Sequence, residues 1–145
     1  MLITITVCAR DAEDWVEDCL TSLCAQDHRP LQIIAVDDGS NDRTLERMQL
    51  FLPPPSSDID LLILSQERIG LSAGRNRAVN AAKGEWIAIT DIDCRPDPQW
   101  ISSMLAQLPS TEGQNVVALT GRTVFDPGSS RISRLRSKTI AKKYA

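Results

Sequence analysis

Short apolar runs recur along the chain, and each has the length of a β-strand. A run of this length, bounded by turn residues, is typical of a strand buried in a sheet. Five strands are predicted in this way, at residues 2–8, 31–36, 59–64, 85–90 and 115–121.

The stretches between the runs carry apolar residues at helical spacing, as in Val16, Cys19, Leu20 and Leu23. Four helices are predicted, at residues 13–25, 40–51, 71–82 and 98–108. The β-α-β alternation predicts a three-layer α/β/α fold with a mostly parallel, Rossmann-like sheet. Right-handed crossovers favour the strand order 3-2-1-4, which leaves a crevice between the ends of strands one and four.

The composition is that of an ordinary globular domain. The 145 residues are 42% hydrophobic and 24% charged, which allows one domain with a real core. No apolar stretch is long enough to cross a bilayer. Because no basic region precedes the first apolar run, the start resembles a strand more than a signal peptide, and a cytoplasmic location is expected.

The cysteines, Cys8, Cys19, Cys24 and Cys94, form no Cys-x-x-Cys pair, and His28 is the single histidine. This pattern argues against a structural zinc site. In a chain without a signal peptide, buried reduced thiols are expected rather than disulfides.

Charge is divided unevenly along the chain. Residues 1–128 carry a net charge of −9, whereas residues 129–145 carry +6. A basic tail can bind nucleic acid or anionic lipid. It can also be a helix separated from the rest of its domain, and the charge pattern alone leaves these alternatives open.

Two adjacent carboxylates, Asp37 and Asp38, end the second apolar run. An acid at the carboxyl end of a strand can accept hydrogen bonds from a base N–H or a ribose hydroxyl. Gly39 permits the tight turn that follows. An Asx-turn and a helix cap account for residues 40–42, but a pair of acids is more than a turn requires.

The loop after the third apolar run contains Gly70 and Gly74, followed by Arg75 and Arg77. Arginine can bind a diphosphate with two parallel hydrogen bonds, and N–H groups at a helix start would help. The alternative is a solvated basic helix face, and this alternative fits Arg77 better than Arg75. No Gly-Lys-Ser/Thr follows, so this is not a Walker loop.

A third pair of polar positions, Asp91 and Asp93, ends the fourth apolar run. In a regular strand, residues two apart point to the same face, so both carboxylates would project into one crevice. Two acids held together favour a divalent cation carrying a phosphorylated ligand. Turn chemistry leading into Arg95 is the alternative for this pair.

Taken together and in this order, these motifs closely resemble the amino-terminal half of family 2 glycosyltransferases, which have the GT-A fold. The resemblance covers roughly residues 2–125. It is carried by residues 5–11, the helix at 15–23, Val36-Asp37-Asp38-Gly39-Ser40, Gly70-Leu71-Ser72-Ala73-Gly74-Arg75-Asn76, Lys83-Gly84-Glu85-Trp86-Ile87 and the Asp-x-Asp at 91–93.

The resemblance implies transfer of a sugar from a nucleotide-diphosphate sugar of the UDP or GDP type to an acceptor, usually with inversion. It implies Mg²⁺ or Mn²⁺ as cofactor, bridging the phosphates as a Lewis acid. The implied nucleotide contacts are Ala9, Asp11, Asp37 or Asp38, Arg75 and Asp91, and the implied metal ligands are Asp93 and Asp91. No nucleic-acid partner is expected.

The sequence departs from the family in two places. The first loop, Cys8-Ala9-Arg10-Asp11, stands where the family often has Pro-Thr-Tyr-Asn. The family's general base is commonly part of a Glu-Asp pair in a later acceptor-binding half, and no such pair follows Asp93. Residues 1–126 are therefore expected to form a donor-binding domain, residues 127–145 a basic linker or the start of the acceptor half, and the base to lie beyond Ala145.

Several alternatives follow from that expectation. The chain would show little sugar transfer alone, and it could instead be a non-catalytic nucleotide-binding or assembly module. The basic tail, with Ile132, Leu135, Ile140 and Tyr144 among its charges, is more consistent with a truncated helix than with a peripheral membrane contact. Apolar surface exposed by truncation would favour a homo-oligomer.

Overall fold

A computed structural model describes residues 1–55, 58–108 and 118–124. The chain divides into two compact units, Met1–Ser110 and Thr111–Ala145. The domain boundary predicted between residues 126 and 127 lies outside the described residues. The first unit contains the sheet and every residue predicted for the site.

Strands and helices alternate through the first unit. In chain order they are β1 (Ile3–Ala9), α1 (Val16–Cys24), β2 (Leu31–Asp38), α2 (Thr44–Leu50), β3 (Ile59–Gln66), α3 (Leu71–Ala81), β4 (Trp86–Asp91) and α4 (Trp100–Leu105). All strand pairs are parallel, and the order across the sheet is β3-β2-β1-β4. The predicted α/β class and strand order are confirmed.

Strands β2 and β3 each run two residues past their predicted ends. The extra residues pair with each other, Asp37 with Ser65 and Asp38 with Gln66. Polar side chains end the apolar pattern there, but the backbone ladder continues because each strand satisfies the other's N–H and C=O groups. The sheet therefore carries both acids of the Asp-Asp motif within β2 itself.

The two faces of the sheet pack against different helices. One face lies against α1, α2 and α4 around a core that includes the fully buried Ile5 and Ile33. The other lies against α3, where Ala78 packs in a smaller cluster with Cys8 and Val36. Helices therefore cover both faces, as predicted, and α3 is the element that faces Cys8 and its neighbours.

The buried Gln32 side chain connects the residues before β4 to the central strands β1 and β2 through hydrogen bonds. Gln32 Oε1 accepts hydrogen bonds from the Thr4 hydroxyl and from the Lys83 N–H, each at 2.9 Å. The Gly84 N–H donates to Thr4 Oγ1 at 2.9 Å, and a Cβ on Gly84 would lie only 2.5 Å from Thr4 N. These contacts fix how β4 enters the sheet, and so where Asp91 leaves it.

Two details of the secondary structure differ from expectation. Residues 118–121, predicted as the end of a fifth strand, belong to no strand, and residues 115–117 lie outside the described residues. Residues 40–42 were expected to include the cap of α2, but the residue before the helix is Arg43, whose side chain makes no capping bond. Asp42 Oδ1 instead accepts a hydrogen bond from the Thr44 N–H at 2.9 Å.

All four cysteines are free, and all except the half-buried Cys94 are buried, as expected. Burial raises the pKa of the Cys19 thiol to about 12. Among the helices of the described residues, none is both long and apolar enough to span a membrane.

Candidate nucleotide-diphosphate site

The predicted site residues gather where the parallel strands end. Strand β1 lies between β2 and β4, and its last residues pair with both neighbours: Cys8 with Asp91, and Ala9 with Asp37. The chain leaves β1 toward β2 on one side and reaches β4 on the other. The carboxyl ends of β1 and β4 thus flank a topological switch point, where open α/β sheets bind ligands.

Arg75 and Asp91 form an ion pair at this switch point. Arg75 Nη2 donates to Asp91 Oδ1 at 2.7 Å. The side chains are 39% and 62% exposed, so a ligand in the crevice can reach both. Arg75 reaches Asp91 because Gly74 lets α3 approach the sheet: a Cβ there would lie 3.3 Å from Cys8 Sγ.

The second acid of the Asp-x-Asp motif leaves the strand. Strand β4 ends at Asp91, and the Cys94 N–H donates to the Asp91 carbonyl at 3.1 Å, which closes a turn around Ile92 and Asp93. The same-face geometry of a regular strand therefore does not apply to Asp93. Ile92 instead packs against the core beside α1, and Asp93 is exposed in the turn.

The two acids of β2 have different surroundings, because successive strand residues point to opposite faces. Asp38 is buried, and its Oδ1 accepts hydrogen bonds from Gln66 Nε2 at 2.8 Å and from the N–H groups of Ile69 and Gly70 at 3.1 Å. Its Oδ2 accepts a further bond from Gly70 at 3.0 Å. The bond from Gln66 contributes most to holding the pKa of Asp38 below its ordinary value, against the effect of burial.

Asp37 is also buried, at 2% exposure, but it is less well satisfied. Its Oδ2 accepts a long bond of 3.4 Å from the Ser40 N–H. Its Oδ1 is one of two buried side-chain polar atoms in the described part of the chain that have no hydrogen-bond partner. A buried carboxylate oxygen without a donor is unfavourable, so Asp37 is the acid of this pair with capacity for a ligand N–H.

The other such atom is Arg10 Nε, in the loop after β1. It lies 3.5 Å from Asp11 Oδ2. Asp11 has a positive φ of 46° and joins this loop to the next one: its N–H donates to Ser40 Oγ at 3.0 Å, and its Oδ1 accepts from the Asn41 N–H at 2.7 Å. Sequence reasoning named Ala9 and Asp11 here and missed Arg10, although an arginine directly after a strand was a visible signal.

Cys8 lies at the centre of these charges. Burial raises the pKa of its thiol, while Arg75 opposes the rise and Asp38 and Asp91 add to it. A thiol with a raised pKa is protonated at neutral pH. Cys8 therefore contributes packing between Gly74 and Val36 rather than a nucleophile.

The turn that carries Asp93 is held against α1. Arg95 forms an ion pair with Asp18, and its guanidinium carbon lies 5.7 Å from the centre of the Trp15 ring. Trp15 is 43% exposed, and its ring is the surface against which Arg95 lies. Arg77, the other candidate for the diphosphate, donates to the Ser65 carbonyl at 2.5 Å.

Asp91 and Asp93 fit the chemistry of a Mg²⁺ or Mn²⁺ site that is completed by its ligand. They offer exposed carboxylate oxygens, the hard donors these ions prefer. Within the described residues, no three histidine, cysteine or acidic side chains form a ready-made metal cluster. Magnesium usually binds through one or two carboxylates together with substrate phosphates and water, so two acids are a sufficient protein contribution.

The fold and the site together define a parallel α/β domain with charged side chains gathered at its switch point. Sequence comparison identifies it more narrowly: the glycosyl transferase family 2 profile matches residues 4–144, and the chain belongs to this family. The uncharacterized glycosyltransferase EpsJ of Bacillus subtilis is 30% identical over 131 residues, which are 90% of this chain and 36% of EpsJ. The succinoglycan biosynthesis protein ExoO of Rhizobium meliloti is 28% identical over 144 residues, covering 95% of this chain and 40% of ExoO. The chain thus spans well under half of these relatives.

Solved structures show the same fold. A crystal structure of S. aureus TarS, residues 1–349, in complex with UDP superposes with a TM-score of 0.67 at 20% identity, over 86% of this chain and 39% of that one. The mannosyltransferase PcManGT from Pyrobaculum calidifontis, in complex with GDP-Man and Mn²⁺, superposes with a TM-score of 0.64 at 25% identity, over 71% and 31%. The expected GT-A fold is confirmed.

Proposed function

We propose that this chain is the donor-binding part of a metal-dependent glycosyltransferase that uses a nucleotide-diphosphate sugar of the UDP or GDP type. The Arg75–Asp91 ion pair, beside the exposed Asp93 at the switch point of a family 2 chain, carries this proposal. The pair presents one cation and one carboxylate at the crevice, and Asp93 offers a second exposed carboxylate in the turn that follows β4. That combination suits a diphosphate and the divalent ion that accompanies it.

Each residue has a proposed role in the donor complex. Arg75 binds the diphosphate, and Asp91 and Asp93 hold Mg²⁺ or Mn²⁺, which acts as a Lewis acid on the leaving diphosphate. Asp37 accepts the base N–H through its unpaired Oδ1. Because Asp37 is almost fully buried, neighbouring side chains have to move aside for the base to reach it. The remaining nucleotide contacts proposed are Ala9 at the end of β1, Asp11 in the loop after it, and Asp38.

The complexes of similar proteins support this choice of ligand. TarS has been crystallised with UDP and with UDP-GlcNAc, and PcManGT with GDP-Man and Mn²⁺. A carboxylate that accepts a ring N–H suits both uracil and guanine. Inversion at the sugar carbon stays a prediction.

Calorimetric titration of UDP, GDP and their sugars into the 145-residue chain, with and without Mn²⁺, tests the proposal. We expect binding that depends on Mn²⁺ and that is lost in Asp93→Asn. Asp60→Asn is the matched control, because Asp60 lies at the opposite end of β3, where it pairs with Lys83. A folded wild-type protein that binds none of these compounds would refute the proposal.

Four further predictions concern the whole protein. The general base is expected outside this donor part, so sugar transfer by the 145-residue chain alone should be weak or absent. Peripheral membrane contact through the basic tail and self-association also remain predictions, because residues 129–145 lie outside the described residues. A cytoplasmic location is likewise a prediction.

A further inference from the structure

The exposed carboxylate of Asp93 has few contacts of its own to hold it in place. Within the described residues, the hydrogen bond that it accepts comes from the Cys94 thiol at 3.8 Å, and a thiol is a weak donor. Asp91 differs, because Arg75 Nη2 donates to its carboxylate at 2.7 Å. The position of Asp93 therefore depends on the backbone segment that carries it.

That segment is held at both ends. At its start, the carbonyl of Asp91, the last residue of β4, accepts a hydrogen bond from the Cys94 N–H at 3.1 Å. At its end, the buried Gln26, which lies just after α1, donates from Nε2 to the Asp97 carbonyl at 2.8 Å. Asp93 lies between these two fixed points.

Arg95 provides a third point of attachment, midway along the segment. Its Nε donates to Asp18 Oδ2 at 3.1 Å, and its Nη2 forms an ion pair with the same oxygen. Its guanidinium carbon lies 5.7 Å from the centre of the Trp15 ring. Asp18 belongs to the first turn of α1, and Trp15 directly precedes that helix. A carboxylate and an aromatic face together restrict both the position and the tilt of the planar guanidinium.

We infer that the start of α1 positions Asp93 from outside the crevice: Trp15 and Asp18 hold the Arg95 guanidinium, and Arg95 fixes the turn that presents Asp93 to the metal. The inference rests on the proposed function, in which Asp93 is a metal ligand. Trp15, Asp18 and Arg95 are positioning residues, because they act on the metal through Asp93. Exposed ion pairs contribute little to stability, so these contacts determine where the turn lies rather than whether the chain folds.

A double-mutant cycle on Mn²⁺ affinity tests the inference, using Trp15→Ala, Arg95→Ala and the double variant, with free Mn²⁺ measured by electron paramagnetic resonance. Trp15→Ala changes no charge, so loss of a Coulombic attraction cannot explain its effect. It should weaken Mn²⁺ binding about threefold to fivefold when Arg95 is present and less than about twofold when Arg95 is absent. Equal losses in both backgrounds, or no loss in either, would overturn the inference.

Asp18→Asn tests the other contact of Arg95. Glu17→Gln is its matched control, because Glu17 is the adjacent acid in the first turn of α1 and the substitution removes the same charge. Asp18→Asn should weaken Mn²⁺ binding at least about twofold more than Glu17→Gln does. Equal effects would show that Asp18 acts through its charge alone and would overturn its role as a positioning residue.

Hydrogen exchange tests the same contacts without any ligand. In Trp15→Ala, the Cys94 amide, which closes the turn, should exchange faster than in wild type. The Asp27 amide, which donates to the Pro98 carbonyl at 2.9 Å, is an internal control and should keep its wild-type rate. Unaltered exchange at Cys94 in folded Trp15→Ala would overturn the inference even if Mn²⁺ affinity changed. Failure of the wild-type protein to bind Mn²⁺ or any nucleotide, with faster exchange at Cys94 in Trp15→Ala, would count against the proposed function alone.

Discussion

Arg75 Nη2 lies 2.7 Å from Asp91 Oδ1, so the residue proposed to bind the diphosphate and one residue proposed to bind the metal are hydrogen-bonded to each other. The pair is largely exposed, and such pairs contribute little to stability, about 0–1 kcal/mol. The pair matters instead for charge, because Arg75 neutralises the negative charge of Asp91 in the crevice. In the proposed donor complex, a metal and a diphosphate that bind together would replace this ion pair with two new ones.

Removing Arg75 should have opposite effects on the two ligands. In Arg75→Ala, Mn²⁺ alone should bind about two- to fivefold more tightly, because a competing cation is gone. UDP with Mn²⁺ should bind about tenfold or more weakly, since a charge-assisted hydrogen bond is lost. Electron paramagnetic resonance of free Mn²⁺ and calorimetry with UDP measure the two effects.

Lys83→Ala is the matched control for loss of one positive charge, because Lys83 pairs with Asp60 at the far end of the sheet. It should leave both affinities close to wild type. If Arg75→Ala weakened Mn²⁺ and UDP binding to the same extent, the ion pair would be holding the site together rather than competing with the ligands.

The alternation of apolar runs and helical stretches was sufficient to predict the strand order. It placed the ends of β2 and β3 two residues early, because the apolar signal stops at Asp37 and Ser65 although the backbone pairing does not. The fifth predicted strand shows the converse: an apolar run at 115–121 does not form a strand in its described part. An apolar run indicates a segment suited to burial, whereas the end of a strand depends on how far a neighbouring strand continues to pair with it.

The sequence predicted which residues gather at the site but not the different surroundings of each one. Motif spacing brought Asp37, Asp38, Arg75 and Asp91 to one end of the sheet, since parallel strands end together. Sequence alone did not assign different partners to the two acids of β2, although alternation along a strand already required opposite faces. Gln66 was missed because its role depends on the register between β2 and β3, which no local pattern specifies.

Gly74→Ala should be destabilising only while Cys8 is present. The new Cβ would lie 3.3 Å from Cys8 Sγ, which is tighter than ordinary packing, and 3.5 Å from Val36 Cγ1, which is an ordinary contact. We expect a loss of about 1–2 kcal/mol in the free energy of unfolding, measured with urea.

In the Cys8→Ala background the same substitution should be neutral or stabilising by up to about 1 kcal/mol, because alanine favours a helix over glycine. The difference between the two backgrounds isolates the thiol contact. A similar loss in both backgrounds would mean that the added methyl group is unfavourable for reasons other than its contact with the Cys8 thiol.

Stability should depend on pH through Asp38. Hydrogen bonds, first that of Gln66, lower the pKa of Asp38 in the folded state, so folding favours the ionised form. A group of this kind stabilises the protein above its unfolded pKa of about 4, and the effect is lost as the pH falls through the lower folded value. The Tm gap between wild type and Asp38→Asn should thus be constant from pH 5 to 7 and narrow below about pH 4.

Asp42 offers an internal comparison for that experiment. Burial raises its pKa, but hydrogen bonds from Thr44 and from the Glu13 N–H outweigh burial and lower it overall. Asp42→Asn should therefore show the same narrowing of the Tm gap. A gap that widened toward acid pH in either variant would contradict the assigned direction.

Replacing Gln32 should be among the more damaging single changes in the sheet. Gln32 is fully buried, and in Gln32→Leu the Thr4 hydroxyl and the Lys83 N–H would lose their acceptor. Each buried group left without a partner is unfavourable by about 1–3 kcal/mol, so we expect a loss of at least about 2 kcal/mol in urea unfolding. Adding Thr4→Val to Gln32→Leu should not recover the loss, because the Gly84 N–H would then lose its own acceptor, Thr4 Oγ1. Gln32 also fixes the position at which β4 enters the sheet. Gln32→Leu should therefore broaden the NMR signal of the Arg75 side chain, which contacts Asp91 at the other end of β4. An unchanged signal would show that pairing with β1 alone maintains the register of β4.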